Sequence, residues 1–370
     1  MNITLRSVGC LAALSGALGC GTTEVVIGEA PGVARVVAGV LGEVYETTIP
    51  DTAVQGPATG QPIGIPSGLA AWDDGRFAFA DRVRRRVGMV TAAGELTWPV
   101  GRGACAFPGP DGTQADALCL GAPEGVVASD GVLYVADHGA HRVYAVDVAT
   151  NQVSVLLGTG VPGVAPDGAT ASASRTARPT AVSVGPDGAV YVAESDNHRV
   201  VRVGGDGLVS TFAGRGDAGD DGDGGPARLA ALRSPSGLAW RGDTLYVSDG
   251  GSHRVRRIVA DTIRAFAGLG AVGFAGDRGP AAAALFDRPG ALATTGALLF
   301  VADRGNHRVR VIRLGPDSVD TFAGTGRTVP GADLLEAGRT AIAGPTGVAA
   351  AGRVVFMSDS GGHVVRRVVR

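Results

Sequence analysis

The apolar residues of this chain fall in short runs of four to seven, rich in Val, Leu and Phe and separated by turn residues such as the Asp-Gly pairs at 74, 130 and 187. Runs of this length bounded by turn formers are typical of β-strands, and Asp-Gly favours tight hairpins. Four runs follow one another in PGALATTG from 289, ALLFVAD from 297, HRVRVIRL from 307 and VDTFAGTG from 319. The pattern predicts an all-β protein built from four-stranded antiparallel units.

The unit occurs six times. Each copy ends its second strand on an acidic residue, and five copies have a histidine four residues later, with Arg85 at that place in the first copy. The acids are Asp81, Asp137, Glu194, Asp249, Asp303 and Asp359, separated by 56, 57, 55, 54 and 56 residues. The histidines are His141, His198, His253, His307 and His363. A four-stranded unit repeated at this period indicates the blades of a six-bladed β-propeller.

The two ends of the repeat array predict how the ring closes. The last copy reaches Arg370 after its third strand. The stretch ARVVAGVLG from 34 resembles the fourth-strand stretches SVLLGTG from 154 and STFAGRG from 210. We therefore expect an N-terminal strand to pair with the last blade, so that residues 34–370 form one closed propeller without a free edge pair.

The first twenty residues, MNITLRSVGCLAALSGALGC, have an early arginine, an apolar run from Val8 to Gly19 and small residues before Cys20. This is the layout of a secretory signal. ALGC resembles the lipobox of bacterial lipoproteins, in which the cysteine becomes lipid-modified after cleavage. We expect residues 1–20 to be a signal peptide, Cys20 to carry lipid and residues 21–33 to be a linker. Cys10 is a poorer second candidate for the lipid. Ordinary cleavage with full secretion and the apolar start of a cytoplasmic protein are the alternatives.

Cys105 and Cys119 lie in one loop, and an even pair of cysteines in an exported protein favours a disulfide. Zinc is the weaker interpretation, because these thiols have no histidine or further thiol nearby to complete the metal's ligands. The net charge of -2 and the 5% aromatic content provide neither the basic footprint nor the stacking platform of a nucleic-acid binder.

The motifs DNHRVVRV from 196 and GNHRVRVI from 305 resemble NHL repeats, a family named after its Asn-His-Leu signature, with Arg199 and Arg308 here in the leucine position. The loops GDGGPARLAAL from 222 and GDRGPAAAALF from 276, followed by Pro235 and Pro289, are similar to those of bacterial members. The resemblance extends over about residues 34–370 and implies a six-bladed propeller. It implies no single activity, because such propellers include sensor domains, scaffolds, RNA binders and an amidating lyase.

The recurrence of the acid and the histidine favours a structural role over a catalytic one. The acid can accept backbone N–H bonds in its own turn, the histidine can bridge to the acid or to the next blade, and the arginine stems can cover apolar faces. Neighbouring sheets pack about 10 Å apart, whereas zinc needs ligands at about 2 Å, so successive copies cannot readily share an ion.

Three other places are candidates for ligand contact. The first strands that should line the channel are small and apolar, with Glu124 as the ionisable residue at their starts, and we expect the nearby His138 to be an exposed turn residue. Asp220, Asp221 and Asp223, with Asp217 close by, are calcium candidates or simply turn formers. Arg84, Arg85 and Arg86 form a possible basic binding spot or reflect drift at the seam of the ring.

The sequence favours a non-catalytic propeller of the cell envelope that binds a protein, peptide or glycan through the face carrying its long loops. We expect no cofactor, a monomer, and membrane contact only through the lipid. The alternative is a metal-dependent lyase or hydrolase that uses the central channel.

Overall fold

The computed structural model describes residues 3–7, 23–27, 32–39, 56–103, 105, 113–329 and 335–370. Two strands, β1 (Ile3–Ser7) and β2 (Thr23–Ile27), form a separate two-stranded antiparallel sheet. Cys20 lies outside the described residues. Within the described ranges, no helix is long and apolar enough to cross a membrane.

The remaining strands form six antiparallel sheets, each with four principal strands. In chain order they are β3 (Val33–Gly39), β4 (Gly56–Pro57), β5 (Pro66–Ala71), β6 (Phe77–Asp81), β7 (Arg86–Val90), β8 (Glu95–Val100), β9 (Pro123–Ser129), β10 (Val132–Asp137), β11 (Arg142–Asp147), β12 (Gln152–Leu157), β13 (Pro179–Val184), β14 (Val190–Glu194), β15 (Arg199–Val203), β16 (Val209–Ala213), β17 (Pro235–Arg241), β18 (Thr244–Asp249), β19 (Arg254–Val259), β20 (Thr262–Ala267), β21 (Gly279–Pro280), β22 (Pro289–Thr295), β23 (Leu298–Asp303), β24 (Arg308–Arg313), β25 (Ser318–Ala323), β26 (Leu335–Glu336), β27 (Pro345–Ala351), β28 (Val354–Asp359) and β29 (Val364–Val369).

Blades 1 to 6 begin with the innermost strands β5, β9, β13, β17, β22 and β27, and each continues outward through the next strands of the chain. The short strands β4, β21 and β26 pair at the outer edges of blades 1, 5 and 6. The helices of the described part are 3₁₀ turns of three residues: Ala115–Ala117, Ala171–Ala173, Ala227–Leu229, Gly250–Ser252, Ala281–Ala283, Arg304–Asn306, Ala337–Arg339 and Ser360–Gly362. The all-β six-bladed propeller predicted from the repeats is confirmed.

The N-terminal strand closes the ring. β3 pairs antiparallel with β29, in a register that places Ala38 opposite Val365, and so supplies the fourth strand of blade 6. Blade 6 then packs on blade 1, where the rings of Phe356 and Phe77 stack with their centroids 4.6 Å apart. The edge of β29 is thereby paired rather than left open to another chain.

The apolar core is divided among the interfaces between blades. One buried cluster joins blades 1 and 2 through residues such as Ala80 and Leu133, and another joins blades 6 and 1 through Phe79 and Val365. Equivalent clusters occupy the other four interfaces. Since strand side chains alternate between the two faces of a sheet, each blade contributes one set of residues to each neighbour.

The predicted disulfide is also confirmed. Cys105 and Cys119 are bonded, with their Cα atoms 5.7 Å apart. The bridge spans 14 residues in the connection between blades 1 and 2. A closed loop of this size reduces the conformational freedom of the unfolded chain.

The six repeated acids are completely buried at the ends of the second strands: Asp81, Asp137, Glu194, Asp249, Asp303 and Asp359. The five aspartates accept backbone N–H bonds from the segment that precedes the first strand of their own blade, donated by Gly64, Gly121, Arg233, Asp287 and Ala343. In blade 3 the longer Glu194 accepts from the side chains of Asn197 and Arg199 instead. Each aspartate therefore holds the segment before the first strand of its blade, and Glu194 holds the turn that follows it.

Arginines lie buried beside several of these acids. Arg256, Arg310 and Arg366 are fully buried and follow their acids by seven residues. Arg366 Nε donates to Asp359 Oδ2 over 3.0 Å. These guanidinium groups lie inside the blades. Because an isolated buried charge is very unfavourable, each needs the nearby carboxylate.

Burial also changes the acidity of the repeated acids. It raises the pKa of Asp249 and of Asp303 to about 6, against the opposing effect of their hydrogen bonds and nearby arginines. The folded chain therefore holds these protons up to a higher pH than the unfolded chain, whose aspartates titrate near 3.8. The contribution of these two groups to the free energy of unfolding thus falls as the pH rises from about 4 to about 6.

Replacing Asp359 by Ala should lower the free energy of unfolding by about 3–5 kcal/mol, because it removes the carboxylate beside the buried Arg366 guanidinium. It also removes the acceptor of the Ala343 and Gly362 backbone N–H groups. Urea unfolding followed by circular dichroism measures the change. The matched control is Asp243→Ala at an exposed turn, expected to stay within about 0.5 kcal/mol of the unsubstituted protein. Equal effects of the two substitutions would contradict a structural role for Asp359.

Candidate functional site

A cavity of about 360 Å³ opens on the propeller axis and is lined by the first strands of all six blades. Its mouth lies on the face that carries the acid-histidine turns, since Gly250 and Arg304 of those turns line it. The aliphatic residue three positions after the first proline of each blade forms an apolar ring in its wall. The ring consists of Leu69, Val126, Val182, Leu238, Leu292 and Val348. The inner wall of the cavity is thus aliphatic.

A second ring lies closer to the mouth, at the residue that follows the first proline. It consists of Ser67, Glu124, Thr180, Ser236, Gly290 and Thr346. The four hydroxyls each donate to the carbonyl oxygen of the equivalent proline in the next blade, over 2.9–3.2 Å. These bonds join neighbouring blades around the channel. Glu124 departs from the pattern, because it places a carboxylate where four other blades have a hydrogen-bonded hydroxyl and blade 5 has Gly290.

A third ring is formed by the residue immediately after each repeated acid. Its members are Arg82, His138, Ser195, Gly250, Arg304 and Ser360. Ser195 and Ser360 donate to the carbonyl oxygens of Pro235 and Pro66, both over 2.6 Å, and so also join neighbouring blades. In the described part of the chain, no such bond to a proline carbonyl oxygen is made by Arg82, Arg304 or His138. These positions bring ionisable groups to the mouth.

His138 and Glu124 form a contact pair within blade 2. His138 Nδ1 lies 2.9 Å from Glu124 Oε2, and the two side chains are only 16% and 19% exposed. The expectation that His138 would be an exposed turn residue is therefore wrong, because the side chain turns towards the axis. Burial raises the pKa of Glu124, but His138, Arg82 and Arg178 more than offset it, so the pKa lies below its usual value and the group is ionised at neutral pH.

Four arginines surround this pair. Arg178, Arg288 and Arg304 line the cavity, and Arg82 is near enough for its charge to lower the pKa of Glu124. Arg304 of blade 5 faces the pair from across the mouth. Burial lowers the pKa of the Arg304 guanidinium, the charge of Glu124 partly opposes this, and the three other arginines lower it further.

The repeated histidines help to position this mouth. In blades 2 and 4, His141 Nδ1 and His253 Nδ1 accept the backbone N–H of Arg178 and Arg288 in the next blade, over 3.2 and 3.1 Å. His198 makes the same bond to Ser234. His363 instead contacts the Gly64 carbonyl oxygen across the closure, at 2.8 Å. The histidines thus bridge successive blades.

His307 is different. Its Nδ1 is buried and has no hydrogen-bond partner among the described residues. The equivalent position in the next blade is Gly344, whose backbone has a left-handed φ of 74°.

The calcium candidates lie elsewhere, at the outer loop between blades 3 and 4. Asp221 pairs with Arg215 at 2.7 Å, Asp223 with the buried Arg256 at 2.8 Å, and Asp220 with Arg254 at 3.3 Å. Asp217 also lies near Arg215, at 3.3 Å. Calcium at these residues remains a prediction, and the ion would compete with these arginines. No three His, Cys, Asp or Glu side chains of the described residues come together as a metal site.

The arginine run of blade 1 is largely taken into the fold. Arg84 lies beside Asp81 at 3.8 Å with an 11% exposed side chain, and its guanidinium carbon is 5.4 Å from the centre of the Trp98 ring. Arg86 is buried and donates to the Arg102 carbonyl oxygen. Arg85, at the histidine position, has the same left-handed φ as the histidines. The expected basic spot at Arg84, Arg85 and Arg86 is thus not a shared exposed surface.

The long loops on this face are held rigidly to the acid-histidine turns. Asn197 Nδ2 and Asn306 Nδ2 donate to the carbonyl oxygens of Gly163 and Gly273, over 2.8 and 2.7 Å. The arginines after the histidines add further bonds, as in Arg308 Nη2 to the Thr325 carbonyl oxygen. Large apolar side chains nevertheless remain exposed on these loops: Val161, Val164, Leu269, Val272, Phe274 and Val329.

Replacing His138 by Ala should raise the pKa of Glu124, because burial would then be opposed only by the arginines. The measurement is a ¹³C NMR titration of the side-chain carboxyl, assigned through Glu124→Gln. Asp147 is the internal control, since backbone and side-chain hydrogen bonds from Thr150 lower its pKa far from the channel. A Glu124 pKa that does not change in His138→Ala would contradict the electrostatic coupling of the pair.

Comparisons with known proteins agree with this architecture. Residues 176–203 match the family model described as NHL repeat. NHL repeat-containing protein 2 from Homo sapiens is 24% identical over 295 residues, which are 68% of this chain and 39% of that protein. The same protein from Gallus gallus is 24% identical over 79% of this chain. The chain spans less than half the length of these relatives.

Solved structures share the fold at low sequence identity. An auxiliary nutrient binding protein from Bacteroides thetaiotaomicron matches with a TM-score of 0.64 and 12% identity, over 99% of this chain and 83% of that one. A gluconolactonase from Xanthomonas campestris matches with a TM-score of 0.55 and 16% identity, over 99% of both chains. The protein is therefore a six-bladed β-propeller that contains an NHL repeat and is similar to NHL repeat-containing proteins.

Proposed function

We propose that this protein is an exported, non-catalytic binding propeller that recognises a protein, peptide or glycan of the cell envelope through the face carrying its long loops. The observation that carries the proposal is the exposure of large apolar side chains on loops that are hydrogen-bonded to a rigid ring. Leu269, Val272 and Phe274 are exposed within six residues of one loop. Exposed apolar residues gathered on an ordered surface are typical of an interaction site.

The loop around Phe274 also has polar groups suited to recognition. The guanidinium carbon of Arg308 lies 3.7 Å from the centre of the Phe274 ring, a cation-π contact that holds the ring in place. Aromatic and arginine side chains are enriched in the centres of protein interfaces. Little conformational entropy would be lost on binding to a surface that is already ordered.

The solved structures with this fold include both binding proteins and enzymes, so the fold alone does not decide between them. One observation favours the alternative of a lyase or hydrolase that uses the channel, namely the contact between Glu124 and His138 inside a cavity. A carboxylate beside a histidine is a common arrangement for general acid-base chemistry. A metal-dependent reaction would also require bound metal, which elemental mass spectrometry of the purified protein measures.

Site-specific photo-crosslinking tests the binding proposal. A photoreactive phenylalanine analogue at Val272 should capture one envelope component in living cells, identified by mass spectrometry. The matched control is Val259, which is also exposed but ends β19 at the opposite face of the propeller. Leu269→Asp should abolish the product at position 272, whereas Glu124→Gln should leave it unchanged. The same product at both positions, or none at either, would reject the loop face as the binding surface.

Export with lipid attached at Cys20 is the second part of the proposal. The disulfide between Cys105 and Cys119 supports an oxidising compartment. Replacing Cys20 by Ser should move the protein from the membrane fraction to the soluble fraction, because the acylated residue is lost. Detergent phase partitioning followed by immunoblotting measures the shift, with Cys10→Ser as control. A Cys20→Ser protein that still partitions with the membrane would exclude lipid at this residue.

A further inference from the structure

The channel mouth combines features that the loop-face proposal does not use: a cavity, an aliphatic wall and unneutralised positive charge. Arg82 and Arg304 come from blades 1 and 5 at equivalent ring positions. Within the described residues, neither guanidinium group has a hydrogen bond or an ion pair at contact distance. We propose that the mouth of the channel binds an organic carboxylate with an aliphatic tail, whose charged end lies between Arg82 and Arg304 and whose tail enters the aliphatic ring.

The charge balance favours a single negative charge. The positive groups are Arg82, Arg178, Arg288 and Arg304, and Glu124 is the carboxylate in the cavity. Two of the arginines have partial partners outside the cavity: Arg178 is 3.8 Å from Asp196, and Arg288 is 3.2 Å from Asp287. The remaining positive charge suits a monoanion, whereas Glu124 would repel a dianion such as hydrogen phosphate about twice as strongly as a monoanion. Guanidinium groups bind carboxylates through paired N–H donors.

The wall of the cavity selects the rest of the ligand. Leu69, Val126, Val182, Leu238, Leu292 and Val348 present an aliphatic ring below the charged mouth. A cavity of about 360 Å³ accommodates a small molecule and is too narrow for a folded domain. Burying an aliphatic chain there would strengthen binding by up to about fourfold for each methylene. The ligand is thus an amphiphilic carboxylate, either a small free acid or the carboxyl terminus of a peptide with an apolar last residue.

Isothermal titration calorimetry with hexanoate, acetate and hexanamide tests the inference on the full chain. Hexanoate should bind with one-to-one stoichiometry, acetate more weakly and hexanamide weakest, and added salt should weaken the binding of hexanoate. Arg304→Ala and Arg82→Ala should each weaken it by about tenfold or more. Arg313→Ala, an exposed arginine at the end of β24, is the matched control and should not change the affinity. Thermal unfolding checks that each variant is folded.

Glu124→Gln provides an opposite expectation, since removing the negative charge should strengthen hexanoate binding several-fold. Four results would each overturn the inference. They are equal binding of hexanoate and hexanamide, no binding of hexanoate, an unchanged affinity for hexanoate in Arg304→Ala, and tighter binding of inorganic phosphate than of hexanoate. So would weaker hexanoate binding in Glu124→Gln.

Peptides distinguish the two sources of the carboxylate. A pentapeptide ending in leucine with a free carboxylate should bind more tightly than its amide. Binding stronger than that of hexanoate would assign the site to a peptide terminus, and weaker binding to a small free acid. The inference does not rest on the loop-face function, because crosslinking at Val272 and carboxylate binding at Arg304 are measured separately, and either can fail alone.

Discussion

The buried carboxyl group at the end of each second strand is the interaction on which the rest of the structure depends. In five of the blades it accepts backbone N–H groups from the segment before the first strand, and in blades 4 to 6 it also lies beside a fully buried arginine. A carboxylate without partners is strongly disfavoured in such a place, so the turn, the preceding loop and the third strand must take up one arrangement together. In blades 2, 3, 4 and 6 the histidine that follows then bonds the backbone of the next blade. The hydrogen bonds of the acid inside one blade and of the histidine to the next blade therefore fix the turn and the position of the neighbouring blade together.

The blades and their number could be predicted from the sequence because their signals are local and repeated. A run such as LYVAD or LFVAD, followed by a turn and a histidine, contains within ten residues the strand, the acid and the bridge that define a unit. Ring closure was also predictable, since the stretch before the first blade has the residue pattern of a fourth strand. Both inferences depend on neighbouring residues or on comparison between copies, and neither needs the positions of side chains.

The candidate site was harder to predict, because its arginines come from several blades and approach the Glu124–His138 pair of blade 2 only when the ring closes. Glu124, His138 and Arg304 belong to different parts of two repeats, and sequence reasoning considered the first of them at the channel and placed the second on the surface. A signal was nevertheless present. Aligning the copies column by column shows a hydroxyl residue after the proline in four copies and a serine after the acid in two. The ionisable residues that occupy these two columns in blades 1, 2 and 5 are the groups of the mouth: Arg82, Glu124, His138 and Arg304. The arginine run at Arg84 to Arg86 was conspicuous as a sequence, but its guanidinium groups were needed by the fold.

The separate apolar clusters between blades have a consequence for how such a protein can change over time. Each blade touches two neighbours through two independent cores, and the radius of the ring is set by six similar contacts rather than by one shared centre. A side chain at the rim of one blade can therefore be exchanged without disturbing the packing of the opposite blade. The aperture keeps its width while its chemistry is altered one sector at a time, so closely related rings can acquire different specificities with the same architecture.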